Sequence, residues 1–242
     1  MPADLRPRAR NRVMKRATAP IPDLTADRAR ALALTPVSRE TGERLDRFVE
    51  LLLRWQHTTN LVAPSTIANL WTRHVADSLQ LLDLAPNARI WIDVGSGGGF
   101  PGLVIACTLA EEPGALVHLV ESNTKKTAFL REAQRVTGAP VSVHAERIEH
   151  FAAHFQGKAD VITARAVAPL KTLLTQCFPL LGKTGAIALF PKGQSADVEV
   201  GEAADSRGAK FWDLNVTMVP SRTDPASRIV VVRNLLRGGT NP

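Results

Sequence analysis

The sequence predicts an α/β fold, a doubly wound and mostly parallel sheet preceded by a helical extension, and three observations predict it. An apolar run, Ile90-Trp91-Ile92, passes through Asp93-Val94-Gly95-Ser96-Gly97-Gly98-Gly99-Phe100-Pro101-Gly102 into a helical pattern from Pro101 to Glu112, so a strand feeds a helix through consecutive glycines. From Arg89 onward, short apolar runs alternate with segments of helical periodicity, as crossover units of a parallel sheet do. The last two runs are joined only by Pro220-Ser221-Arg222-Thr223-Asp224-Pro225-Ala226. That turn is too short for a helical crossover, so these strands form an antiparallel hairpin.

In chain order, residues 1–22 hold four prolines and little apolar content, which predicts a disordered tail. Arg6, Arg8, Arg10, Arg12, Lys15 and Arg16 against Asp4 place +5 of the chain's net +7 in residues 1–16. Such a tail could be a basic arm that neutralises phosphates, an organelle transit peptide or a solvated end. A short helix is expected over Thr25–Leu34, before Pro36. A longer one is expected over Ser38–His57, with Ser38 as N-cap, Glu40 in the first turn and a stripe of Leu45, Phe48, Val49, Leu52 and Trp55. A third, Ser65–Leu82, carries Ile67, Trp71, Val75, Leu79 and Leu82 at helical spacing. Projection at about 100° per residue sets His74 and Ser78 within that stripe and Asp77 beside it, so polar groups interrupt a burying face. A histidine there is either a satisfied core residue or part of a site.

Strands follow at about 89–94, 116–121, 141–144, 159–164, 185–190, 210–219 and 228–234, with helices between them that include Thr124–Val136 and Pro169–Leu181. The expected organisation is a tail at 1–22, a helical cap at 23–88 and a sheet domain at 89–242. At 242 residues and 26.2 kDa the chain can bury a core of ordinary size. No apolar run approaches the ~20 residues that span a bilayer, and no secretory signal opens the chain, which predicts a soluble, cytoplasmic protein. Cys107 and Cys177 lie in apolar helical patterns without metal-ligand spacing, so reduced thiols are expected, with neither disulfide nor zinc site.

The glycine turn brings bare backbone close to a ligand and aims helix N–H groups at it. Two fingerprints overlap there. Asp93-x-Gly95-x-Gly97-x-Gly99 fits S-adenosylmethionine, and Gly97-x-Gly99-x-x-Gly102 fits a dinucleotide. A dinucleotide turn needs its first glycine at the strand end, but here Asp93 or Val94 stands at that place. A carboxylate would repel a pyrophosphate, whereas it can support the loop and the cationic region of a sulfonium cofactor. Glu121 ends the apolar run Leu116-Val117-His118-Leu119-Val120, where an acid can accept both hydroxyls of an adenosine ribose in either cofactor class. Arg165 follows the fourth strand at the edge where open α/β sheets bind ligands. It could hold the donor's carboxylate or an RNA phosphate.

With those residues in place, further marks are Asn60-Leu61-Val62, Arg73-His74-x-x-Asp77-Ser78, Glu121-Ser122-x-x-Lys125-Lys126-x-x-Phe129-Leu130, Ala164-Arg165-Ala166 and Lys192-Gly193. On them, from about Leu51 to Lys192, the chain resembles the glucose-inhibited division protein B family, bacterial methyltransferases acting on guanine in small-subunit ribosomal RNA. The resemblance implies a seven-stranded, Rossmann-like, S-adenosylmethionine-dependent methyltransferase fold with an N-terminal helical extension. It further implies methyl transfer to N7 of a guanine in 16S ribosomal RNA, free or in the small-subunit particle; the sequence leaves the oligomeric state open, a monomer being expected. Gly95 and Phe100 would contact the donor in the turn, Glu121 its ribose, and Ile148 with Glu149 its adenine. His74, with Arg73, Asp77, Ser78 and Asn60, would lie between cap and sheet on the substrate side, and Lys192 near the entrance.

The expected chemistry needs no catalytic base, because guanine N7 carries a lone pair and no proton. Consistent with that, Ala164-Arg165-Ala166 stands where methyltransferases of exocyclic amines carry Asn/Asp-Pro-Pro-aromatic. Three other readings compete with this one: a small-molecule methyltransferase with a helical lid, a nicotinamide oxidoreductase, and an RNA-binding protein with a vestigial donor site.

Overall fold

The computed structural model describes residues 22–205 and 214–234. The basic tail through residue 21, the first four residues of the strand expected at 210–219, and Arg237-Gly238-Gly239 lie outside the described residues. Seven strands form one sheet: β1 Ile90–Val94, β2 Leu116–Val120, β3 Val141–His144, β4 Val161–Thr163, β5 Ile187–Lys192, β6 Leu214–Pro220 and β7 Arg228–Asn234. Their order is β3-β2-β1-β4-β5-β7-β6. The first five are mutually parallel, and β7 pairs antiparallel with both β5 and β6, so the expected hairpin closes the sheet.

Strand alternation assigns the two faces. Trp91, Val117, Leu119, Val161 and Leu189 belong to one apolar cluster, while Ile92, Val94, Ile162, Ala188 and Phe190 belong to the other. Helices α6 (Ile148–His154) and α7 (Leu170–Thr184) cover the second face through Phe151, Leu173, Leu174 and Cys177. A helix that the periodicity did not single out, α8 (Ala196–Asp205), packs against α7. The first face is covered by α4 (Gly102–Thr108), α5 (Thr124–Thr137) and the N-terminal helices.

Those N-terminal helices share the core of the sheet's first face. Helix α1 spans Thr25–Leu34 and α2 spans Arg39–Gln56, and the Ser38 hydroxyl caps α2 by accepting the Thr41 N–H at 3.1 Å. Leu45, Phe48 and Leu52 of the α2 stripe are fully buried. Phe48 meets Phe100 of the glycine turn at 5.2 Å between ring centroids and Phe129 of α5 at 6.3 Å. The cap is therefore fastened to the turn by aromatic contact.

The single helix expected over Ser65–Leu82 is corrected by the structure. The segment is a 3₁₀ turn at Pro64–Asn69, a π turn at Trp71–Ala76, a short α-helix, α3, at Asp77–Leu79 and another 3₁₀ turn at Leu82–Leu84. The buried Asp27 carboxylate of α1 accepts from the backbone N–H groups of Trp71 and Thr72. Those donors are thereby withdrawn from an α ladder, and the winding loosens where it resumes. Projection at a constant angle fails across a π turn, and Asp77 and Ser78 are both buried.

No helix among the described residues is long and apolar enough to cross a membrane. Cys107 and Cys177 are free and buried, and burial pushes both thiols up to about 12, which leaves them protonated and unreactive.

Candidate functional site

The strand order reverses between β1 and β4, and ligands of open α/β sheets bind in the crevice at such a point, beyond the strands' carboxyl ends. The glycine turn leaves β1 there. The N–H groups of Gly95 and Ser96 donate to the Val120 carbonyl at 2.8 and 3.1 Å, so the turn curls over the end of β2. Gly95 and Gly97 have φ of 71° and 52°, a left-handed geometry that glycine adopts without steric cost.

Asp93 supports this turn from below. One carboxylate oxygen accepts the Gly102 N–H at 3.2 Å and the other accepts the Thr163 hydroxyl at 2.9 Å. At 1% exposure it is enclosed by the loop it supports. Burial pushes its carboxyl up to about 7 against the pull of the Thr163, Ser96 and Gly102 hydrogen bonds, with Glu121 nearby adding to the rise. The folded state thus holds a proton that the unfolded chain releases near its ordinary value of about 3.9. Stability from this group is present below that value and is lost as pH rises through about 7. The expected outcome is that Asp93→Asn loses less stability than the unmodified protein between pH 5 and pH 8. Urea midpoints at both pH values measure it, and equal losses would refute the shift.

Glu121, 9% exposed, joins two turns. One carboxylate oxygen accepts the Gly97 N–H at 2.9 Å and the other the Asn123 N–H at 2.7 Å, each keeping a further lone pair. A hollow opens beside it, lined by Gly95, Lys126, Arg147, Ile148, Glu149 and Val167 among others. Ile148 and Glu149 open α6, and Glu149 accepts from the Gln176 side-chain amide at 2.7 Å.

Phe100 and Gly99 do not line this hollow. The Phe100 ring, 7% exposed, is held between Phe48 and His74, and a Cβ on Gly99 would lie 3.2 Å from the Phe48 ring. The side chain of Phe100 and the missing one of Gly99 fit the turn to the cap, which leaves the backbone of Phe100 as its part in the turn. Gly97 stands in open space, where an added Cβ meets nothing nearer than 3.6 Å. Its positive φ and its N–H bond to Glu121 are what the turn requires of it.

A second hollow adjoins the first. Its lining includes Arg73, Asp77, Arg165, Lys192 and Arg228. Asp77 is a hub. One oxygen accepts the Gln80 amide and the Thr223 hydroxyl, both at 2.8 Å, and the other pairs with the Arg165 guanidinium at 3.4 Å. Arg165 also donates to the Arg73 carbonyl at 2.8 Å. It lines the second hollow rather than the first. Lys192 donates to the Ala168 carbonyl at 2.7 Å and pairs with Glu199 at 2.8 Å, so it braces the segment after β4 as well as lining the cleft.

Three expected substrate residues lie elsewhere, for reasons visible in their contacts. The His74 ring sits 2.9 Å from the Thr66 hydroxyl and stacks on Phe100, and burial with Arg165 and Arg73 nearby depresses its pKa to about 3. It is a neutral packing residue. Ser78, 1% exposed, donates to the His74 carbonyl in the π turn before it. Asn60 is exposed next to Leu61, whose carbonyl lies so near Gly98 that a Cβ there would be 2.8 Å away.

Sequence reasoning missed several residues. Gln56 clamps the 60–62 loop on the turn by accepting from the Leu61 and Val62 N–H groups and donating to the Val62 carbonyl. Gln80, three residues on, and Ser221 and Thr223 from the far end of the chain meet around Asp77, and the distant pair leaves no local signal. Thr163 had one, a polar residue closing an apolar strand. Ala166 and Val167 line both hollows, and nothing in their residue types marks them.

The family described as rRNA small subunit methyltransferase G matches residues 41–229 of the chain. A ribosomal RNA small subunit methyltransferase G from Bradyrhizobium sp. (strain BTAi1) is 57% identical over 209 residues, covering 86% of this chain and 91% of that protein. Its counterpart from Bradyrhizobium sp. (strain ORS 278) is 56% identical, with 87% and 92% covered. Among solved structures, an O-methyltransferase from Bacillus cereus in complex with SAH superposes with a TM-score of 0.56 at 15% identity, over 87% of this chain and 98% of that one. That likeness shows the fold.

Proposed function

The chain belongs to the rRNA small subunit methyltransferase G family, and on that premise we propose that it transfers the methyl group of S-adenosylmethionine to N7 of a guanine in 16S ribosomal RNA. The observation that carries this reading is the pair of adjoining hollows at the topological switch point, which share only Ala166 and Val167 among the described residues. A donor in one and an acceptor in the other would meet across that boundary.

The first hollow suits adenosine. The free lone pairs of Glu121 can accept from ribose hydroxyls, Glu149 can accept from the exocyclic amine, and Ile148 offers apolar surface. Three carboxylates line this hollow, Glu121, Glu146 and Glu149, against the cations Lys126 and Arg147. Bound there, S-adenosylmethionine supplies an electrophilic methyl on a sulfonium centre. Arg73 and Arg228 offer the second hollow cations for an RNA phosphate, while Arg165 and Lys192 are paired with Asp77 and Glu199 in the same lining. Arg165, held by Asp77 and the Arg73 carbonyl, is placed to fix either the acceptor strand or the carboxylate end of the donor.

Attack by the N7 lone pair requires no base, and the neutral, buried His74 supplies none. Catalysis therefore rests on holding the two reactants in line. The reading divides the chain into a basic tail at 1–22, a helical cap at 23–88 and a catalytic unit at 89–242. It acts as a monomer in the cytoplasm. Small subunits from cells lacking the protein, incubated with it and methyl-labelled S-adenosylmethionine, should acquire label at one guanine of 16S RNA. Label on another base atom, or in small molecules alone, would overturn the assignment.

A further inference from the structure

We propose that Val167 is the surface on which the face of the acceptor guanine rests, and that the backbone turn at Ala166 exists to present it. Among the described residues only Leu34, Val167, Val198 and Met218 are large, apolar and exposed, and Val167, at 41%, is the one of them that lines either hollow. At the boundary of the two hollows this β-branched group offers apolar surface among charged residues, as ligand sites do.

The backbone around it is built for this placement. Ala166 has φ of 54° and is the one non-glycine at positive φ among the described residues, a strained conformation that persists only where its surroundings hold it. They do so from both sides. Arg165 is tied to Asp77 and to the Arg73 carbonyl, and the Ala168 carbonyl accepts from Lys192. Stretched between those anchors, Val167 turns back onto Gly95. A Cβ at Gly95 would lie only 2.5 Å from a Val167 methyl, so the glycine leaves the room that Val167 occupies.

The chemistry of the cleft identifies what rests there. Pro169 and Pro191 add apolar surface, Arg73 and Arg228 add charge, and among the described residues no aromatic side chain lines either hollow. A planar base with a phosphate beside it matches both features, since its face can be desolvated against aliphatic groups while the cations take the phosphate. Val167 is then the residue that aligns the ring edge with the methyl group.

This inference rests on the proposed methyl transfer, and two variants test it. Val167→Ala removes two methyl groups at an exposed position, and Val167→Thr keeps the shape while making it polar. Both are expected to keep S-adenosylmethionine affinity within about twofold by calorimetry. Transfer to 16S RNA in small subunits should fall in kcat/KM by about tenfold for Val167→Ala and about threefold for Val167→Thr. Donor affinity that falls tenfold with RNA KM unchanged would assign Val167 to the donor site and overturn the inference. Unchanged kinetics in both variants would overturn it too. If the unmodified protein labels no RNA, the function itself fails; if it labels RNA and the variants match it, only the role of Val167 does.

Discussion

Gly102→Ala should lower the melting temperature by about 6–12 °C, the equivalent of about 3 kcal/mol in a chain of this length. Gly102 is the first residue of α4, where the helix start lies against β1 and β2. An added Cβ would lie 2.5 Å from a Leu119 methyl, 2.6 Å from the Asp93 Cβ and 2.7 Å from an Asp93 carboxylate oxygen. None of these can retreat. Leu119 is fully buried in β2, and Asp93 is held on its other side by the Thr163 hydroxyl. The same displacement would stretch the Gly102 N–H bond to Asp93 and leave a buried acceptor poorly satisfied. Calorimetric melting decides it, and a midpoint within about 1 °C of the unmodified protein would mean that the helix start can move.

Glu121→Gln should weaken S-adenosylmethionine binding by about 10- to 100-fold while the protein stays folded. Hydrogen bonds to an ionised acceptor are worth about 1.5–3 kcal/mol, and an amide replaces one accepting oxygen with a donor. In the structure both oxygens already accept, from Gly97 on the glycine turn and from Asn123 ahead of α5. The amide must therefore confront one of those N–H groups, so the ribose contact and the shape of the turn suffer together. Isothermal titration with the donor measures the loss. An unchanged affinity would remove Glu121 from the site, and a preference of the unmodified protein for NAD would remove the donor assignment with it.

Much of this arrangement is legible in the sequence because it is local. The strand entering the glycine turn, the acid closing β2, the Ser38 cap and the hairpin at the chain's end are each set by residues within a few positions of one another. Local sterics and hydrogen bonding need no distant partner. Family likeness extended this to Ile148, Glu149 and Arg165, whose side chains alone announce little.

Residue pattern determined that the chain builds a strand-and-helix sheet ending in a hairpin, with an adenosine-type turn after β1, because periodicity and glycine placement report on the backbone they form. Tertiary structure decided which polar groups face the crevice. Asp77 and Ser78 are adjacent, yet Asp77 reaches Arg165 and Thr223 while Ser78 turns back on the π turn before it. Both residues follow the π turn whose first N–H groups Asp27 of another helix accepts. Asp93 and Phe100, both in the signature turn, are drawn inward by Thr163 and Phe48, and the place beside Gly95 goes to Val167, some seventy residues on. Burial and long-range hydrogen bonds depend on which segments the fold brings together, and spacing along the chain carries no record of them.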